Sequence, residues 1–221
     1  VPPALAHDRA GDALFTTTTE YKKLSHALSG KGACALFGLP ASGRAQVYAA
    51  LCRQLDKPLC IVTPGEAEAT RFAADLNTLD IPTAVFPARD YVLRPIEGTA
   101  REYEYRRLAV LGELVGGRLR AVAVPAEALT QFTTPKEDFC ANTRTLHTGD
   151  TLLRDDLLAA LFGAGYTRRA QVDGPGQFSV RGDIVDIFAP DQKMPVRMEF
   201  WGDEIDTLHT FDLTTQQVQI G

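Results

Sequence analysis

The sequence predicts an α/β protein, with a mostly parallel open sheet flanked by helices, followed by a small α+β domain with an antiparallel sheet. Three observations carry this expectation. In the first part of the chain, short continuous apolar runs alternate with runs of helical periodicity, and unbroken apolar strands belong to parallel sheets covered on both faces. After Thr133-Thr134-Pro135 the pattern becomes one of strands separated by glycine turns. A glycine spacing, Gly38-Leu39-Pro40-Ala41-Ser42-Gly43, sits where a strand should hand over to a helix. The boundary is placed at 142/143, giving domains 1–142 and 143–221.

The elements follow in order. A helix over Thr18–Leu28 stops at Gly30, a strand is expected over Ala33–Gly38, and a helix over Ala41–Leu55. Pro58–Thr63 reads as a buried strand. Glu66–Leu79 reads as a helix, because Ala69, Phe72, Ala73, Leu76 and Leu79 share one face. Strand Thr83–Phe86 leads into a loop rich in Pro and charge, Pro87–Gly98. Helix Thr99–Val115 turns Tyr105, Leu108, Leu111 and Val115 inward and stops at Gly116-Gly117. Strand Leu119–Val124 and a short helix, Ala126–Phe132, close the unit.

The second domain opens with a helix over Thr151–Phe162, capped by Asp150 and ended by Gly163 and Gly165. Leu153, Leu157, Leu158 and Leu161 form its inner face. Strands are expected over Thr167–Val172, Phe178–Phe188, Val196–Trp201 and Asp206–Phe211, with turns at Gly174-Pro175-Gly176 and Gly202-Asp203. In Val196–Trp201, successive side chains point to opposite faces. Val196, Met198 and Phe200 suit a core. Arg197, Glu199 and Trp201 share the other face, and an aromatic beside an arginine there is the pairing found at binding hot spots. The bland alternative is a tryptophan covered by a loop.

Bulk properties narrow the function. The formal net charge is −5 over 221 residues, and it is uneven. Residues 1–142 hold 16 Lys+Arg against 16 Asp+Glu, whereas residues 143–221 hold 7 against 12. An acidic second half is a poor generic surface for a polyanion such as DNA. Val1-Pro2-Pro3 does not begin a signal peptide, and no apolar run is as long as a membrane span, so a cytoplasmic protein is expected. Four cysteines (Cys34, Cys52, Cys60, Cys140) form no C-x-x-C pair and read as reduced thiols, mostly buried. The four histidines are dispersed, so neither a metal site nor a catalytic triad is expected.

The loop at residues 38–45 is the sharpest motif of the first domain. Its glycines, Gly38 and Gly43, are spaced as in G-x-x-x-x-G-K-[ST], the phosphate-binding loop. The lysine that would reach the terminal phosphates is Arg44, whose planar fork does not replace an ammonium there. The hydroxyl residue that would hold magnesium is Ala45, which cannot ligate a metal. No apolar strand of residues 1–142 ends in Asp-Glu. No catalysis is therefore expected of this chain, and no cofactor.

Two strings extend the reading. Arg181-Gly182-Asp183-Ile184-Val185-Asp186-Ile187-Phe188, then Pro195-Val196-Arg197-Met198-Glu199-Phe200-Trp201-Gly202-Asp203-Glu204-Ile205-Asp206, resemble a segment shared by bacterial transcription-repair coupling factors and the excision-repair protein UvrB. Ala159–Tyr166 and Val172–Val180 fit the same segment. The defective loop, together with Pro87-Ala88-Arg89-Asp90-Tyr91, is more similar to the coupling factors. UvrB carries an intact loop and a long β-hairpin, for which residues between Asp90 and Thr99 leave too little chain. The resemblance covers most of residues 18–217.

What the resemblance implies is a non-catalytic N-terminal module of a longer protein, its first domain a degenerate P-loop, helicase-like fold. Its second domain would recruit UvrA to lesion-stalled transcription complexes. The family's binding arginines fall on Arg181 and Arg197, and its interface phenylalanine falls on Trp201, a change that keeps area and adds an indole donor. For Arg181 a structural salt bridge, with Asp183 or Glu199, is the competing role. ATP and magnesium, RNA polymerase and DNA would belong to downstream domains that this chain does not carry, and the chain itself would be a monomer. Two other readings stand beside this one. One is a nucleotide hydrolase working through residues 38–45. The other is a UvrB-like DNA-binding module using Arg101, Arg106 and Arg107, which on a helix also suit a solvated face.

Overall fold

The computed structural model describes residues 16–30, 33–55, 57–89 and 99–219. The chain divides into two compact units, the first formed by residues 1–88 and 113–130, the second by 89–112 and 131–221. A cut at 142/143 differs from this division by assigning 89–112 and 131–142 to the first domain.

The first unit is a three-stranded parallel sheet, β1 (Leu59–Thr63), β2 (Thr83–Val85) and β3 (Ala121–Pro125), in the order β1-β3-β2. Its helices are α1 (Thr19–Ser29), α2 (Ala41–Gln54), α3 (Glu66–Thr78) and the short α5 (Ala126–Leu129). The central strand alternates Ala and Val and is buried throughout. Ala123 meets Ala69 and Ala73 of α3, small side chains that let helix and sheet approach closely. Ala49 and Cys52 of α2 join Leu76, Ile61 and Ala121 in the adjoining cluster. Thr18 caps α1, its Oγ1 accepting from the Tyr21 amide at 3.2 Å. Arg120 donates to the carbonyls of Cys52 and Leu55, and so satisfies groups that the end of α2 leaves open.

Three expectations fail, the last reaching into the second unit. Among the described residues, 33–37 pair with no strand, and Leu36 and Phe37 are exposed, Phe37 at 88%. An apolar run becomes a strand only where a ladder partner accepts it, and periodicity does not reveal partners. Strand β1 is accordingly an edge, with Cys60 and Val62 exposed on one face rather than covered on both. Of the four thiols only Cys52 is buried; Cys34, Cys60 and Cys140 are exposed.

The second unit holds most of α4 (Thr99–Val115), then α6 (Lys136–Ala141), α7 (Arg154–Gly163) and a six-stranded sheet. Its strands are β4 (Thr167–Arg168), β5 (Gln177–Arg181), β6 (Ile184–Phe188), β7 (Val196–Trp201), β8 (Glu204–Phe211) and β9 (Val218–Gln219), paired in sequence order. All neighbours are antiparallel except β4 and β5. One face packs on α7, where Leu157 and Leu161 meet Phe178, Val185, Met198, Phe200 and Ile205. Helix α7 ends in a Schellman arrangement: Gly165 has φ +83° and the Tyr166 amide bonds the Leu161 carbonyl at 2.9 Å. Helix α6, absent from the sequence reading, buries none of its residues and so leaves no periodic signature.

Three details of this unit correct the expectations. The run Phe178–Phe188 is a hairpin, not one strand, because Gly182 (φ +61°) turns the chain between Arg181 and Ile184. Positive φ at the first central residue is what a type II′ turn requires, and Gly202 (φ +63°) repeats it between β7 and β8. Asp150 does not cap α7, which starts at Arg154; its Oδ2 accepts from the His147 amide at 2.7 Å instead. Strand β4 is two residues long rather than reaching Val172.

Candidate functional site

The sheet face opposite α7 carries the predicted residues. The ladder sets Ser179 beside Asp186, Asp186 beside Arg197, and Arg197 beside His209. Along β7 the pleat puts Met198 and Phe200 into the core and Arg197, Glu199 and Trp201 on this second face, as alternation predicts. A register shift between β7 and β8 next to Glu199 and Phe200 leaves that alternation on β7 intact.

Asp186 is the centre of the arrangement. It is 1% exposed, and both oxygens are taken by arginine. Arg197 grips it with a two-bond fork, Nε to Oδ1 at 2.7 Å and Nη2 to Oδ2 at 2.9 Å. Arg181 reaches the same Oδ2 through Nη2 at 2.6 Å. Charge-assisted paired bonds of this kind are strong and fix orientation. The bonds from Asp186 hold the Arg197 guanidinium above its ordinary pKa, against the opposing effect of burial.

The two arginines differ in access. The Arg197 side chain is 14% exposed and that of Arg181 is 49% exposed. Arg197 lies over the Phe211 ring, 4.7 Å from its centroid, and faces the Gln216 carbonyl with Nη1 at 3.5 Å. The turn that carries Gln216 is tied by Asp212, whose Oδ1 accepts from the amides of Thr214 (2.9 Å) and Thr215 (2.8 Å) and from the Thr215 hydroxyl (3.1 Å). Those bonds, the Thr215 amide first, pull the Asp212 carboxyl below its ordinary pKa. Trp201 stands clear of all this at 80% exposure.

Both hairpin turns, at Gly182-Asp183 and Gly202-Asp203, lie at the same end of the sheet, since β5 and β7 run the same way. Leu152, just before α7, and Arg154, its first residue, tie them: the Leu152 amide bonds the Asp203 carbonyl at 2.7 Å, and Arg154 Nη1 bonds the Gly182 carbonyl at 2.9 Å and Asp183 at 3.2 Å. Arg181 and Trp201 flank this end on one face. The salt bridge expected for Arg181 therefore exists, but with Asp186. Asp183 pairs with Arg154, and Glu199 is not the partner either. Asp186 was missed as a site residue because its neighbours in sequence read simply as strand. Its apolar surroundings, Ile184, Val185, Ile187 and Phe188, were the available signal, since a carboxylate in such a run needs a partner.

The other candidates are placed as follows. Gly38 has φ +82°, and Gly43, Arg44 and Ala45 lie in the first turns of α2, Arg44 exposed and Ala45 4% exposed. A cavity of about 230 Å³ beside them is lined by Leu36, Phe37, Gly38, Leu39, Arg44 and Tyr48, below the roughly 300–1,000 Å³ usual for ligand pockets. Arg107 is not on a solvated face. It is 2% exposed and donates to Gln131 (3.3 Å) and Thr133 (2.7 Å), and burial lowers its pKa. Arg106 lies 5.9 Å from the Tyr103 ring centroid. The side chain of Arg101 and the expected loop from Asp90 to Gly98 lie outside the described residues. Among the described residues no three His, Cys, Asp or Glu side chains gather to hold a metal, and no helix is long and apolar enough to cross a membrane.

A sheet domain that presents an anchored arginine and an open tryptophan on one face carries residue types enriched at protein interfaces. Residues 145–220 match the family model described as the UvrB interaction domain. The chain is similar to the transcription-repair-coupling factor of Bacillus subtilis, 29% identical over 184 residues, which is 82% of this chain and 16% of that protein. It is 37% identical over 186 residues to the coupling factor of Mycobacterium bovis, covering 80% of this chain and 15% of the relative. It is 28% identical over 198 residues to UvrABC system protein B of Chlorobium limicola, covering 83% of this chain and 29% of that protein. The chain is thus a homologue of DNA-repair proteins of two kinds, and it spans 15–29% of the length of these relatives.

Proposed function

We propose that this chain is a non-catalytic module that recruits the excision-repair protein UvrA, as the N-terminal part of a transcription-repair coupling factor. The observation that carries the reading is Trp201, 80% exposed on the same sheet face as Arg181, within the segment that matches the UvrB interaction domain. Large aromatics paired with arginine dominate interface energies where a partner covers them. Arg181 supplies the polar half of the contact, and Arg197 lies beneath it. ATP, magnesium, RNA polymerase and DNA are assigned to further domains of the longer protein, at which UvrA would be delivered to stalled transcription complexes. The Gly38–Ala45 loop is read as a scaffold without turnover.

The test is calorimetric titration of the 221-residue chain with UvrA. Saturable binding by the native chain, abolished in a Trp201→Ala, Arg181→Ala double variant that melts normally, supports the reading. No binding by the native chain, or undiminished binding by that variant, defeats it.

A further inference from the structure

We infer that Asp186 is a positioning residue of this surface. It fixes Arg181 in its binding orientation and occupies the fork of Arg197, so that the guanidinium edge left open to a partner is that of Arg181. The inference rests on the UvrA-recruiting reading and describes how that site is built.

The geometry gives Asp186 no access of its own. At 1% exposure it cannot touch a partner, yet it takes the Arg197 fork and the one bond that Arg181 makes among the described residues. Arg197 is spent internally: its fork is on Asp186, its face is on Phe211, and Nη1 looks at the Gln216 carbonyl. Arg181 is anchored through Nη2 alone. Of the five donors a guanidinium carries, the remainder stay available on a side chain that is half open to solvent. Arg197 is faced by Asp186 and also by Glu199 on its own strand, so the positive edge open to a partner is that of Arg181. The complementary group is a single carboxylate of the partner, meeting the free edge of the Arg181 fork in the paired geometry that arginine favours. Holding a long side chain in its bound orientation beforehand removes part of the ordering cost of binding. Without Asp186, Arg181 would be a free rotor beside a second cation.

A double-mutant cycle on the 221-residue chain tests this, with UvrA affinity as the readout and thermal melting as the control. Asp186→Asn keeps the shape and removes the charge. It is expected to weaken UvrA binding about tenfold, as Arg181→Ala does, and the two together are expected to be no weaker than Arg181→Ala alone, within about twofold. Asp186→Asn binding like the native chain, or a double variant losing the product of the two single effects, overturns the inference. Where the Asn variant does not fold, Asp186→Glu serves the same cycle. It keeps the charge and moves the anchor by one methylene, and the same non-additivity is required of it. A native chain that does not bind UvrA sinks the recruiting reading and this inference with it. A native chain that binds, with Asp186 variants unaffected, sinks this inference alone.

Discussion

Arg197 and Asp186, eleven residues apart in sequence, face each other across β6 and β7 with two parallel hydrogen bonds, Nε–Oδ1 at 2.7 Å and Nη2–Oδ2 at 2.9 Å. The carboxylate is 1% exposed and the arginine 14%. A buried pair of this kind adds little over an apolar pair, but breaking it strands a charge. This relationship separates two arginines that the sequence presents as equivalent.

Arg197→Ala should destabilise the chain by about 3–5 kcal/mol, because Asp186 would keep only the single bond from Arg181. Arg181→Ala should cost no more than about 1 kcal/mol, since that side chain is half exposed and the Arg197 fork remains. Urea unfolding of the two variants checks the contrast. Equal losses would show that the two arginines carry the same structural load.

Trp201→Ala should leave the melting temperature close to that of the native chain, because the ring is 80% exposed and packs little. UvrA affinity should fall by about 2 kcal/mol or more, the scale of a central aromatic anchor. Calorimetry and a melting curve on the same sample distinguish this from a folding defect.

The thiols should react at different rates. Cys34, Cys60 and Cys140 are exposed, whereas Cys52 is buried and its pKa is pushed up from 9.0 to about 11, chiefly by burial. An aromatic disulfide reagent at neutral pH should label Cys34 and Cys140 promptly, Cys60 more slowly because burial also raises its pKa, and Cys52 only on unfolding. The same shift sets a sign for alkaline stability. Above pH 9.0 the unfolded thiol ionises while the folded one stays protonated, so the Cys52 contribution is intact below 9.0 and is lost between 9.0 and about 11. Cys52→Ala should flatten that part of the stability–pH curve.

Gly176→Ala should destabilise the second unit by more than about 1 kcal/mol. Gly176 has φ +72°, and an added Cβ would overlap the Tyr105 hydroxyl and ring. Urea unfolding reports it through the midpoint at unchanged slope. Gly149→Ala is the comparison, with φ +89° and no atom within 4 Å of the added carbon, so the difference between the two isolates the clash with Tyr105.

What was legible in the chain is whatever depends on local periodicity. The pleat of β7 puts Met198 and Phe200 on one side and Arg197, Glu199 and Trp201 on the other, whatever surrounds the strand. Helices α1 to α4 were readable because their apolar spacing and stops lie within the segments themselves. The two strings around Arg181 and Trp201 lie in the segment that matches the UvrB interaction domain, and Gly38 with Gly43 already pointed to the position of α2. Partnership was not legible. Residues 33–37 are as apolar as β1 yet join no ladder, and Gly182 breaks a run that reads as one strand. Only the folded sheet, by turning at Gly182 and setting β6 between β5 and β7, brings Asp186 under both Arg181 and Arg197. The physical reason is that register is a property of pairs of strands. A residue's face is set by its own chain, but the residue that neutralises its charge is chosen by the strand beside it.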